Sequence, residues 1–152
     1  MKLIYEIHTE DQINGYVIPI NGYGLWDAIY GFIGIEADGN TVLGATWYNQ
    51  AETAGLGANI ALAWWQKQFQ NKHIFQPSST GQTDRKTAYL GITVVKGKVS
   101  EVLGNSPKAI SAVDGISGAT LTGAGVTAAY ATSLNPYRPF LEKLSQNGQI
   151  QS

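Results

Sequence analysis

The chain has 152 residues, which sets a prior of one domain with a single core. Ten Lys and Arg stand against eleven Asp and Glu, so a formal net charge of −1 offers no footprint for nucleic acid and no basic run for a membrane surface. Cysteine is absent, which excludes disulfides, thiol catalysis, iron–sulfur ligation and cysteine zinc sites.

Taken in order, residues 1–21 read as a segment leading into a domain that spans 22–144, with a tail fraying over 145–152. The start, Met1 to His8, meets Glu6 before a signal-type apolar stretch can form, and is expected to be a cut within a longer protein. No apolar run approaches the roughly 18 residues of a spanning helix. Gly31–Ala37 and Thr41–Tyr48 flank Asp38-Gly39-Asn40, a hairpin signal, and predict two antiparallel strands. Asn49–Gly57 is polar and glycine-punctuated, hence a loop, and Ala58–Gln70 has helical spacing of its apolar residues. Phe75–Lys86 reads as a surface connection. Thr87–Val95 and Lys98–Val102 predict a second strand pair around Lys96-Gly97, and Ser106–Ile116 a loop or short element leading to residues 114–120. Leu121–Leu134 predicts a helix stopped near Asn135-Pro136, followed by a short helix over Tyr137–Leu144. Hairpins with helices between them predict an α+β fold: one domain, with a curved antiparallel sheet flanked by helices.

The densest signal is residues 114–120, Asp-Gly-Ile-Ser-Gly-Ala-Thr. It sets the Thr120 hydroxyl just ahead of the Leu121–Leu134 helix, where unpaired N–H groups and the helix dipole favour a phosphate. Lys108 is the one Lys or Arg between Glu101 and Tyr137, so backbone amides must supply most of the neutralisation. Gly123 and Gly125 with Ala128 mimic a dinucleotide fingerprint but sit inside the helix pattern, which rules that reading out. Lys67, Lys72, Arg85 and Lys86 read as charges on a solvated face, and His8 and His73 as surface residues without metal-ligand spacing.

The heptapeptide resembles the flavinylation motif of the FMN-binding domain family. That resemblance implies FMN joined through its phosphate to Thr120 by a flavin transferase that uses FAD. Ser117, Gly118, Ala119, Leu121 and Thr122 would flank the attachment point, and Asp114 would serve transferase recognition or the turn. Further segments resemble one branch of the family, the C-type subunit of the sodium-translocating NADH:quinone oxidoreductase: Gly22-Tyr23-Gly24-Leu25-Trp26 with Tyr30-Gly31-Phe32, then Glu52-Thr53-Ala54-Gly55-Leu56-Gly57, then Trp64. Ala54 replaces that branch's proline and Gln50 its histidine. A flavin ring needs flat apolar contact and close backbone approach. Trp26, Glu52, Thr53, Gly55, Leu56 and Gly57 are therefore expected to form the ring pocket.

Each of these residues also has a plainer reading. Trp26 and Leu56 suit ordinary core packing, Glu52-Thr53 a turn or helix cap, and Thr120 a bare N-cap. The resemblance implies an electron-carrier domain on the periplasmic side of a bacterial inner membrane, anchored by a helix outside these residues. Its partners would be the membrane subunits of the same complex and the flavin transferase, with no nucleic acid. The G-type subunit of the related Rnf electron-transport complex carries the same Thr motif, and an unflavinylated interaction domain is the alternative from another class.

Overall fold

The computed structural model describes residues 3–151, with the side chains of Asn49 and of 145–151 outside that description. Strands β1 (Tyr5–Thr9), β2 (Gln12–Tyr23), β3 (Ala28–Glu36) and β4 (Val42–Asn49) pair antiparallel in sequence order. Alternation builds the core face: Ile29, Gly31, Ile33 and Ile35 of β3 point inward, opposite Ile18 and Ile20 of β2. Register shifts at Tyr30/Gly31 and Gly34/Ile35 mark bulges, which bend a sheet. The β3–β4 turn is held by Asp38, whose carboxylate accepts the Asn40 and Thr41 amides (2.8 and 2.9 Å) and the Thr41 hydroxyl (2.6 Å). Gly39, at φ +74°, takes the left-handed conformation there.

Residues 1–21, read from sequence as a segment leading into the domain, contain β1 and nearly all of β2, two of the four strands of this sheet. Gly15, Pro19 and Gly22 dilute the alternation that Tyr16, Ile18 and Ile20 carry. The predicted strand pair over 87–102 is also corrected. Thr93–Val94 (β5) is its one strand, paired in parallel with Ala112–Val113 (β6). Lys96-Gly97 is not a hairpin turn: Gly97, at φ +106°, redirects the chain and its carbonyl accepts the Gly115 amide. The helix expected over 58–70 is broken into a 3₁₀ turn (Gly57–Ala61), α1 (Ala63–Gln66) and a second 3₁₀ turn, because Leu62 has an extended backbone. Val99–Val102 forms a further helical turn (α2) whose first amide the Asp114 carboxylate accepts at 2.8 Å.

Helix α3 (Thr120–Leu134) crosses β2 and closes the core. Trp47 donates to the buried Tyr130 hydroxyl at 3.1 Å, and Trp65, Phe69, Phe75 and Val126 fill the space between sheet and helix. Helix and strand approach so closely that a Cβ on Gly22 would lie 2.6 Å from that of Ala129, and one on Gly125 only 2.0 Å from the Tyr23 carbonyl oxygen. Gly125→Ala is therefore expected to destabilise the fold by about 1–3 kcal/mol, although alanine is the better helix former. A denaturant midpoint equal to or above that of the unaltered protein would contradict this.

Two charges expected on a solvated face are half-buried. Lys72 donates to the Ala109 carbonyl (3.1 Å), and Arg85 donates to the Asp38 carbonyl (2.9 Å) with its guanidinium 4.9 Å above the Phe75 ring. The last helix, α4 (Arg138–Gln151), has helical backbone past Ser145. The frayed tail expected over 145–152 otherwise concerns atoms outside the described residues. Among the described residues, no helix is long and apolar enough to cross a membrane, and no cluster of His, Asp and Glu suits a metal ion.

Candidate functional site

Thr120 is the first residue of α3, reached through a tight turn in which Gly118 adopts φ +78° and the Ala119 amide bonds the Ile116 carbonyl at 3.0 Å. The first helical bond runs from the Gly123 amide to the Ala119 carbonyl. Among the described residues, the amides of Thr120, Leu121 and Thr122 have no acceptor, and no side chain caps the helix. The Thr120 hydroxyl likewise has no partner among them; Thr120, Ser117, Gly118 and Leu121 are exposed, whereas Ala119 is buried. Ser117, Gly118, Ala119 and Thr120 border a cleft of about 470 Å³ whose opposite wall is Val95-Lys96-Gly97-Lys98 with Glu101. A groove of about 540 Å³ on the outer sheet face, by Phe32, Thr46 and Lys67, contains none of the expected site residues.

Beneath the turn, Asp114 is fixed by three bonds. Its carboxylate accepts the Val99 amide, its amide donates to Gln68, and its carbonyl accepts the indole N–H of Trp65 at 2.9 Å. These contacts tie the residue that opens the turn to α2, Gln68 and Trp65.

The loop containing Glu52 meets the same helix end. Glu52 is buried, and its carboxylate accepts the Leu25 amide (2.6 Å), the Trp26 amide (3.1 Å) and the Thr122 hydroxyl (2.7 Å). Its own amide donates to the Gln50 side chain at 2.8 Å. Thr53 accepts the Trp26 indole N–H at 3.2 Å, and its carbonyl receives the Leu56 and Ala58 amides to close the turn. Gly55 supplies that turn's φ of +77°. A Cβ on Gly118 would sit 3.0 Å from Leu56 Cδ2, and one on Gly57 2.5 Å from the Thr122 hydroxyl. Trp26, Glu52, Thr53, Leu56 and Gly57, from two distant segments, are thus gathered against Gly118 and Thr122, two residues to either side of Thr120. Trp26 is 67% and Leu56 39% exposed, so neither is spent on the core.

This arrangement fits a flavin joined through phosphate. Such a group needs a reachable hydroxyl, free N–H donors for phosphate oxygens, and apolar side chains open to the ring. Sequence reasoning missed Lys96 and Lys98, two cations on the cleft wall. Nothing in the spacing flags them, since β5–β6 pairing is what brings residues 96–98 to 115–120. It also missed that both Glu52 oxygens are already engaged by protein donors.

Burial works against the Glu52 charge, but the Thr122 hydroxyl and the Leu25 and Trp26 amides more than offset it and hold the carboxyl below its ordinary range. Asp38 behaves alike: burial opposes its charge, while Thr41, Asn40 and the Arg85 charge lower it further. A carboxylate lowered by folding stabilises the native state above the unfolded pKa, and that contribution fades as pH falls through the folded value. Stability should accordingly decline below about pH 4. In Asp38→Asn, unfolding free energy measured from pH 7 to pH 3 should fall less steeply, and an unchanged slope would refute the assignment.

Residues 24–135 match the FMN-binding domain family. The C-type subunit of the Na(+)-translocating NADH-quinone reductase of Chlamydia muridarum is 56% identical over 141 residues, covering 91% of this chain and 44% of that protein. Its Vibrio campbellii counterpart is 38% identical over 148 residues, covering 96% and 51%. The chain thus spans about half the length of the curated relatives it matches. The crystal structure of the same type of subunit from Parabacteroides distasonis superposes with a TM-score of 0.70 at 33% identity, covering 91% of this chain and 61% of that one. Shewanella oneidensis NqrC superposes with a TM-score of 0.76 at 28% identity, covering 95% and 61%.

Proposed function

This chain belongs to the FMN-binding domain family, and we propose on that premise that it is an electron-carrier domain with FMN esterified to Thr120. The larger protein would be the C-type subunit of a sodium-translocating NADH:quinone oxidoreductase, a reading supported by relatives of that name. They favour it over the Rnf alternative. The carrying observation is the exposed Thr120 hydroxyl at the head of α3, beside amides that have no acceptor among the described residues and a cleft lined by Lys96 and Lys98 as well as Glu101.

Attachment is a phosphoryl transfer without redox change. The Thr120 oxygen forms a bond to the flavin-side phosphorus of FAD, the diphosphate bond breaks, AMP leaves, and the hydroxyl proton passes to the transferase or solvent. The α3 amides would hold the attached phosphate, with Lys96 and Lys98 on the facing wall of the cleft adding positive charge beside Glu101. Bound FMN supplies reversible electron uptake and release. Trp26 and Leu56 offer the ring apolar contact, and the Gly55–Gly57 backbone lets it approach closely. The ring would exchange electrons with membrane subunits of the complex on the extracytoplasmic side.

Coexpression with a flavin transferase tests the reading. The domain should gain the mass of FMN less one water, retain it through denaturation, and be reversibly reducible by dithionite. A domain that stays flavin-free in the presence of active transferase and FAD would overturn it.

A further inference from the structure

Glu52 is the one buried carboxylate among the described residues, at 8% exposure, and no cation pairs with it there. Its charge is held by hydrogen-bond donors alone: the Leu25 and Trp26 amides and the Thr122 hydroxyl. The surrounding backbone is cut to fit it. A Cβ on Gly24 would lie 2.2 Å from Glu52 Oε1, and one on Gly57 2.8 Å from Glu52 Cβ. Gln50 fixes the Glu52 amide from the other side.

We infer that Glu52 is a positioning residue for the flavin: its carboxylate clasps the Leu25–Trp26 turn onto α3 and sets one unpaired negative charge at the edge of the ring site. This deepens the function proposed above and rests on it. The clasp joins three segments that no other polar side chain among the described residues ties together. Trp26 has one further polar tether there, the exposed indole bond to Thr53. Release of the carboxylate would therefore free the turn that presents Trp26. Its charge, shielded from water, is screened far less than a surface carboxylate. Electrons added to a neighbouring flavin meet that charge, so Glu52 lowers the flavin midpoint potential.

Two readouts test this in the flavin-free and flavinylated domain. Without flavin, Glu52→Ala should raise amide hydrogen exchange at Leu25 and Trp26 by about tenfold or more, while Glu52→Gln, which keeps one acceptor oxygen, raises it less. With flavin attached, Glu52→Gln should shift the midpoint potential upward. Unaltered exchange at both amides in Glu52→Ala, or a Glu52→Gln potential at or below that of the unaltered domain, would overturn the inference. Should Glu52→Ala fail to fold, Glu52→Gln carries both readouts. A domain that never takes flavin rejects the proposed function, whereas the flavin-free exchange still decides the clasp.

Discussion

Thr120→Val should abolish denaturation-resistant flavin entirely when the domain is made with a flavin transferase and FAD. Valine keeps the β-branched shape at an exposed first helical position, so the fold should be little disturbed and the missing hydroxyl is the whole change. The neighbouring hydroxyls are poor substitutes for different reasons. Thr122 is 2% exposed and donates its proton to Glu52. Ser117 is exposed but precedes the Gly118 turn and so does not stand in the first turn of α3. Ser117→Ala should therefore lower the yield without eliminating attachment. Flavin surviving denaturation in Thr120→Val, read by intact mass, would show that another residue is the acceptor.

Trp65→Ala should be the most destabilising single truncation near the site, costing about 3–5 kcal/mol. The side chain is fully buried, packs edge-on against Phe69 with ring centroids 5.2 Å apart, and has its indole N–H satisfied by the Asp114 carbonyl. Its removal opens a cavity and also releases Asp114, the residue that opens the turn before Thr120. The thermal midpoint should drop by roughly 6–20 °C, and flavin yield should fall with it. Trp65→Phe, which keeps much of the volume but not the N–H, should lose less stability. A midpoint within a degree or two of the unaltered protein in Trp65→Ala would contradict this packing. Trp64, the tryptophan that the family resemblance singles out, is 59% exposed and should tolerate alanine far better.

The two tryptophans show where sequence reading stops. Ala58–Gln70 has helical spacing, but which of two adjacent tryptophans faces inward depends on the break at Leu62, a feature of tertiary context. The central hairpin was legible because Asp38-Gly39-Asn40 carries its own turn chemistry. The start of α3 was legible to within one residue for a similar reason. The pair at 87–102 misled because Lys96-Gly97 resembles a local hairpin, while the bonds that settle it come from Asp114 and Gly115. Within the site, Thr120 and the glycine-rich loop stood out as local patterns. The Glu52–Thr122 bond spans 70 positions, and Lys96 and Lys98 reach the cleft through β5–β6 pairing. No local pattern encodes either.

The acceptor atom itself is the most direct test of the account. The domain, flavinylated by transferase and FAD, would be digested and its flavin-bearing peptide sequenced by fragmentation mass spectrometry. The account predicts one modified peptide, containing Gly118-Ala119-Thr120, with the mass of FMN less one water assigned to Thr120. The same mass on Ser117 or Thr122, or no flavin-bearing peptide at all, would contradict it.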